Sequence, residues 1–145
     1  MLYNILVHAH SGLRWLLLIL LLAAIAVAFS KWRSRDEYAA SDNKLYVFAM
    51  VLTHIQLLIG LILYFLSPKV DFGMMSEKIY RFYTAEHTVG MLIAIALITV
   101  GRVRSRKAAN AVDKHRHVFV FYGLGLLVIL LSIPWPFRIP GAGWF

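Results

Sequence analysis

The chain has 145 residues, 61% of them hydrophobic and 15% charged, with a mean hydropathy of +0.72; a soluble domain of this size has no interior able to bury so much apolar surface. Cysteine is absent, which excludes disulfides, thiolate metal sites and covalent c-type heme attachment. The formal net charge of +8 comes from short Lys and Arg runs flanking apolar segments, a pattern that orients membrane helices and meets lipid headgroups rather than nucleic acid.

The first apolar stretch begins near Tyr3 and runs to Phe29, ahead of a charged loop expected at Lys31-Trp32-Arg33-Ser34-Arg35-Asp36-Glu37. It has no basic residue before Arg14 and is longer than a usual signal-peptide core, so it reads as a membrane helix. The second stretch covers Leu45 to Leu66 and stops at Ser67-Pro68. The third runs from Ile79 to Val100, before a basic loop expected over 101–107. The fourth runs from Val118 to Ile133 and ends at Pro134-Trp135-Pro136. Each is close to the roughly 17 to 25 residues that cross a bilayer core. The expected fold is therefore all-α, an integral membrane four-helix bundle forming a single membrane domain over 1–145. Its helices are placed at about 3–30, 44–66, 79–101 and 113–133, with a tail over 134–145. The tail alternates Pro, Gly and aromatic residues, cannot continue a helix, and is expected along the interface or against a partner.

Charge sets an expected orientation. Lys31, Arg33, Arg35, Lys44, Arg102, Arg104, Arg106, Lys107, Lys114 and Arg116 flank the first and third connections, whereas Arg14, Lys69, Lys78, Arg81 and Arg138 lie at the other end. The positive-inside rule then puts both termini on the periplasmic side of a bacterial inner membrane.

Five of the six histidines, His10, His54, His87, His115 and His117, belong to these segments. Ionisable groups inside membrane helices are costly and mark places where something is bound or moved. At 1.5 Å rise per residue, His10 falls about 10 Å and His87 about 12 Å below the outer boundary, while His54 is about 18 Å deep, near midplane. Two imidazoles from different helices at one depth are what a heme ligated on both faces needs, so His10 and His87 are the expected iron ligands. His54 with His117 is the candidate second, inner pair, giving one heme b or two. His8 reads as a headgroup-level residue, and His115 and His117 as solvated residues of a basic loop.

The surroundings of the outer pair fit the same pocket. Arg14 lies one turn from His10 on the same face, where a heme propionate would supply an anion. Tyr83 stands one turn before His87 and Glu86 immediately precedes it. Gly12, Gly60 and Gly90 allow close helix approach or room for a flat macrocycle. Ser11, Thr53, Gln56, Thr84 and Thr88 are the candidates to hydrogen-bond a ligand's second ring nitrogen.

Four segments, His8-Ala9-His10-Ser11-Gly12-Leu13-Arg14-Trp15, Thr53-His54-Ile55-Gln56-Leu57-Leu58-Ile59-Gly60, Glu86-His87 and Ile133-Pro134-Trp135-Pro136-Phe137-Arg138, make the chain resemble a family of small four-helix cytochrome b-like membrane proteins of Bacteroidetes. A more distant likeness is to one four-helix half of heme A synthase, with His10 and His87 at the positions of its two histidines. The Glu-x-x-His-Arg signature of that enzyme is absent, and Ser11 follows His10 where arginine would stand, so this likeness implies the pocket and not the reaction.

These features lead to a heme b-binding membrane protein, a small b-type cytochrome or heme-bearing subunit in quinol-linked electron transfer. Its partners would be membrane lipid, a quinol or respiratory partner protein, and a second copy of itself, with no nucleic acid. The alternatives are a membrane enzyme of tetrapyrrole metabolism, using Glu86, Tyr83 and Arg14 as acid, base or anion clamp, and a structural subunit without cofactor.

Overall fold

A computed structural model describes residues 1–139 and 141–144. The described residues form four long helices and no strand. These are α1 (Leu2–Ser34), α2 (Ala40–Leu66), α3 (Lys78–Lys107) and α4 (Ala111–Ser132), each long and apolar enough to cross a membrane. Outward-facing Leu16, Ile19, Phe48, Leu58, Ile62, Leu92, Leu127 and Leu131 are exposed. Such a bundle, apolar outside as well as inside, is suited to lipid rather than water.

The helices start and stop where local chemistry dictates, with two differences from expectation. Asp42 accepts a hydrogen bond from the Ala39 backbone N–H at 2.8 Å at the start of α2, and the Asn110 side chain accepts from Asp113 N–H at 2.8 Å at the start of α4. The loops expected over 31–37 and 101–107 are largely helix, since α1 continues through Ser34 and α3 through Lys107. Lys and Arg are good helix formers and are favoured at a helix C-terminus by its dipole, so basic runs prolong these helices instead of ending them. Arg35, at φ 58°, closes α1 with its backbone N–H on the Lys31 carbonyl.

α1 packs against α2 and α4, and α3 packs against the same two, so α1 and α3 occupy opposite corners of the bundle. The core is built from Leu17, Leu21, Ala24 and Ala28 of α1, Tyr46 and Ala49 of α2, Ala94 and Ile98 of α3, and Val118, Tyr122 and Ile129 of α4. Small residues set the closest approaches. A Cβ at Gly125 would fall 2.7 Å from Ile98 Cγ1 and 3.1 Å from the Ala94 carbonyl, so α3 and α4 touch almost backbone to backbone.

α3 is interrupted near its start by a π turn, Phe82–Glu86, in which the His87 backbone N–H bonds the Phe82 carbonyl. The carbonyls it displaces find other donors. The Tyr64 hydroxyl donates to Thr84 O at 3.1 Å and the Thr88 hydroxyl to Tyr83 O at 3.1 Å. Such turns recur at functional sites, because they re-aim the side chains that follow.

A histidine-lined cavity at one end of the bundle

A cavity of about 340 Å³ lies at the end of the bundle that carries the chain ends. α1 contributes His10 and Arg14, α2 contributes Gln56 and Gly60, α3 contributes Tyr83 and His87, and residues 141–143 of the tail close one side. The expected outer pair is thus brought together. The ring centroids of His10 and His87 are 6.4 Å apart with an interplanar angle of 76°.

The two rings are held differently. His87 Nδ1 lies 2.8 Å from the Ser132 carbonyl of α4. A carbonyl only accepts, so Nδ1 carries the proton and Nε2 keeps a free lone pair. His10 is positioned by shape, since a Cβ on Gly60 would fall 3.1 Å from His10 Cε1. Gln56 Nε2 donates to the His10 backbone carbonyl at 2.7 Å, tying α2 to α1 at this level. None of the side chains expected to orient a ligand's second nitrogen does so. Thr53 donates to Met50 O, Thr84 accepts from Asp71 N–H, and Thr88 serves the π turn.

Three cavity-lining polar atoms are buried without a hydrogen-bond partner among the described residues: His10 Nδ1, Arg14 Nε and Gln56 Oε1. Buried polar atoms are nearly always paired, so three orphans around one cavity mark a place where something else supplies partners. Arg14 Nη2 donates to the Trp144 carbonyl at 2.7 Å, and Trp15 Nε1 donates to the same oxygen at 3.0 Å. Trp15, Trp135 and Trp144 form a cluster with ring centroids 6.1 to 6.3 Å apart. The tail therefore folds back over α1 and walls the cavity. Lys69, which the sequence did not single out, also lines the cavity, with its ammonium 5.0 Å from the centroid of the Tyr83 ring.

The remaining histidines lie elsewhere. His8 is exposed. His54 Nδ1 donates to the Met50 carbonyl at 2.8 Å, and its Nε2 lies 3.2 Å from the Thr99 hydroxyl. That hydroxyl has the Ile95 carbonyl, 2.7 Å away, as its alternative acceptor. His117 packs beside Phe121, with ring centroids 6.3 Å apart. Neither lines the cavity. His115 is a correction to the solvated residue expected from its basic neighbours, being 0% exposed. Its Nδ1 lies 2.8 Å from the Tyr46 hydroxyl, and Tyr122 in turn donates to the Tyr46 carbonyl at 2.7 Å. α4 begins at Ala111, before His115, and so carries it inside the bundle.

Among the described residues no three His, Cys, Asp or Glu side chains converge as a metal site. No protein-family model matches the chain, and no curated protein or solved structure matches it. Fold and cavity define its class directly: a four-helix protein with membrane-span-capable helices and a paired-histidine cavity at one end.

Proposed function

We propose that this chain is a small membrane b-type cytochrome, or the heme-bearing subunit of a larger respiratory assembly, in which His10 and His87 would hold one heme b. The observation that carries this reading is the pairing of two imidazoles from opposite corners of the bundle, 6.4 Å apart, in a cavity ringed by unpartnered polar atoms.

The donor set fits. His87 has its second nitrogen hydrogen-bonded, as metal-bound imidazoles commonly do. Arg14 and Lys69 bring two cations to the cavity wall, and no described carboxylate pairs with either; both suit a ligand bearing carboxylates. Bound heme would supply one-electron redox chemistry. The protein's part is to bind the group, fix its ligands and keep water out. The likeness to small cytochrome b-like membrane proteins agrees with this reading. The charge asymmetry of the connections supports an inner-membrane orientation with the cavity end periplasmic.

A second reading is favoured by one asymmetry. His87 is fixed by Ser132, whereas His10 Nδ1 has no partner, so the His10 side is the weaker ligand and could open to a substrate in an enzyme of tetrapyrrole metabolism. The absorption spectrum and heme-to-protein ratio of the purified protein test the main proposal. A Soret band at one heme per chain is expected, and its absence after expression with ample heme defeats the assignment. Carbon monoxide added to the reduced protein separates the two readings. Slow or absent binding is expected of a bis-histidine cytochrome, and rapid binding favours the enzyme.

A further inference from the structure

A separate groove lies at the opposite end of the bundle, on the outward seam between α2 and α3. A groove of about 230 Å³ is walled by Val47 and Met50 of α2 and by Thr99 and Val103 of α3, and ends at Arg102 and Arg106. Arg102 is only 8% exposed, and its side-chain partners, Asn43 and the Tyr38 hydroxyl, are neutral. Nη2 donates to the Asn43 side-chain oxygen, while Nη1 is buried with no hydrogen-bond partner. No described carboxylate forms an ion pair with Arg102 or Arg106: Asp42 serves Lys31, with His115 nearby, and Glu86 serves Arg81.

A cation buried without a counter-charge is expensive, and intramembrane arginines are normally paired. No described carboxylate pairs directly with Arg102 or Arg106, so a counter-charge from outside the chain would be favourable here. We propose that this groove binds an anionic phospholipid, with a phosphate-bearing headgroup on Arg102 and Arg106 and one acyl chain along Val47, Met50, Thr99 and Val103. The chemistry of the walls selects this occupant. The groove is apolar along its length and is closed at one end by the Arg102 and Arg106 side chains, and that end belongs to the basic face of the bundle, where anionic lipid concentrates if the positive-inside rule holds. A soluble anion would use the arginines and leave the apolar length unmatched. The site shares no residue with the histidine-lined cavity and does not depend on heme.

The test is native mass spectrometry of the full chain in detergent, titrated with phosphatidylglycerol or with phosphatidylcholine of the same acyl composition. One phosphatidylglycerol should remain bound under conditions that strip phosphatidylcholine. Arg106→Gln should weaken that binding about fivefold, the loss expected for one basic residue near an anionic headgroup. Val103→Trp, which fills the groove without changing charge, should weaken it similarly. Arg104→Gln, on the same helical turn but outside the groove, should leave it unchanged. Arg104, Arg106 and Val103 are exposed, so these variants keep the fold. Equal retention of the two lipids overturns the proposal. So does an equal effect of Arg104→Gln, which would mean diffuse surface charge. Displacement of the lipid by millimolar inorganic phosphate also overturns it, by showing a headgroup-only site.

Discussion

His87 of α3 and Ser132 of α4 are joined by a 2.8 Å hydrogen bond from the imidazole Nδ1 to the backbone carbonyl, and this contact fixes the ring at the cavity wall. It settles which ring nitrogen is bare, on a ring whose centroid stands 6.4 Å from that of His10. The π turn just before His87 sets the azimuth of the ring, because one extra residue in the turn rotates everything after it relative to the first turn of the helix.

The pairing makes histidine substitutions separable. His10→Ala and His87→Ala should each abolish most heme binding, read as loss of the Soret band at normal expression. His54→Ala should keep the band, since His54 lies outside the cavity and its Nδ1 is bonded to the Met50 carbonyl. Heme retained in His87→Ala with unchanged low-spin bands would show that the ligand pair is misassigned.

Gly60 limits where His10 can stand. An alanine Cβ at 3.1 Å from His10 Cε1 demands a shift of a few tenths of an ångström, which the ring can make by turning. Gly60→Ala should therefore keep heme but perturb its ligand field, visible in low-temperature electron paramagnetic resonance. Gly60→Leu places a branched side chain in the ring's position and should prevent loading while the helical circular dichroism persists.

The carbonyl that holds His87 has its own support. A Cβ on Gly90 would collide with the Ser132 side chain, approaching its Cβ at 2.8 Å and its Oγ more closely still. Gly90→Ala should destabilise the bundle by about 1 to 3 kcal/mol, the usual cost of overpacking, and weaken heme binding through the displaced carbonyl. Ser132→Gly in the same chain should restore much of both. A double variant no better than Gly90→Ala, by thermal unfolding and heme titration, would mean the strain is relieved elsewhere.

At the other end, His115 and Tyr46 form a buried pair that has no contact with the cavity. Tyr46→Phe leaves His115 Nδ1 without its partner and should cost about 1 to 3 kcal/mol, the range for an orphaned buried polar group. The heme spectrum should not change. A spectral change in Tyr46→Phe would indicate a second group near this cluster.

The four helices and the outer pair were legible in the sequence because both depend on signals spread over many residues: apolar run length, flanking charge and rise per residue. Arg14 was legible as a cavity residue, since i and i+4 positions share a helix face. What was not legible depends on single contacts between distant parts of the chain. Nothing in Phe82–Glu86 distinguishes a π turn from an ordinary one, because its stabilising donors are Tyr64 on another helix and Thr88 on the next turn. His115 looked solvated because its neighbours Lys114 and Arg116 are basic, yet a helix turns adjacent residues to different faces. The Ser132 carbonyl is a backbone group and leaves no trace in residue type. The fold-back of the tail rests on a carbonyl in the same way.

That carbonyl, on Trp144, gives the last test. Arg14 and Trp15 both donate to it, so the tail is tied to α1 by one charged and one neutral hydrogen bond and by the tryptophan cluster. Arg14→Gln removes the charged bond, a contribution of about 1.5 to 3 kcal/mol for such groups. Amide exchange over 141–144 should rise, tryptophan emission should shift to the red, and heme affinity should fall as the wall loosens. The helices should stay folded, with a melting temperature lowered by no more than that contribution implies. Arg14→Lys keeps the charge but loses the planar fork, and should fall between the two. If exchange in the tail is unaffected by Arg14→Gln while heme affinity still drops, the tail is held by its aromatic stack. Arg14 then acts on the ligand directly, as a carboxylate clamp.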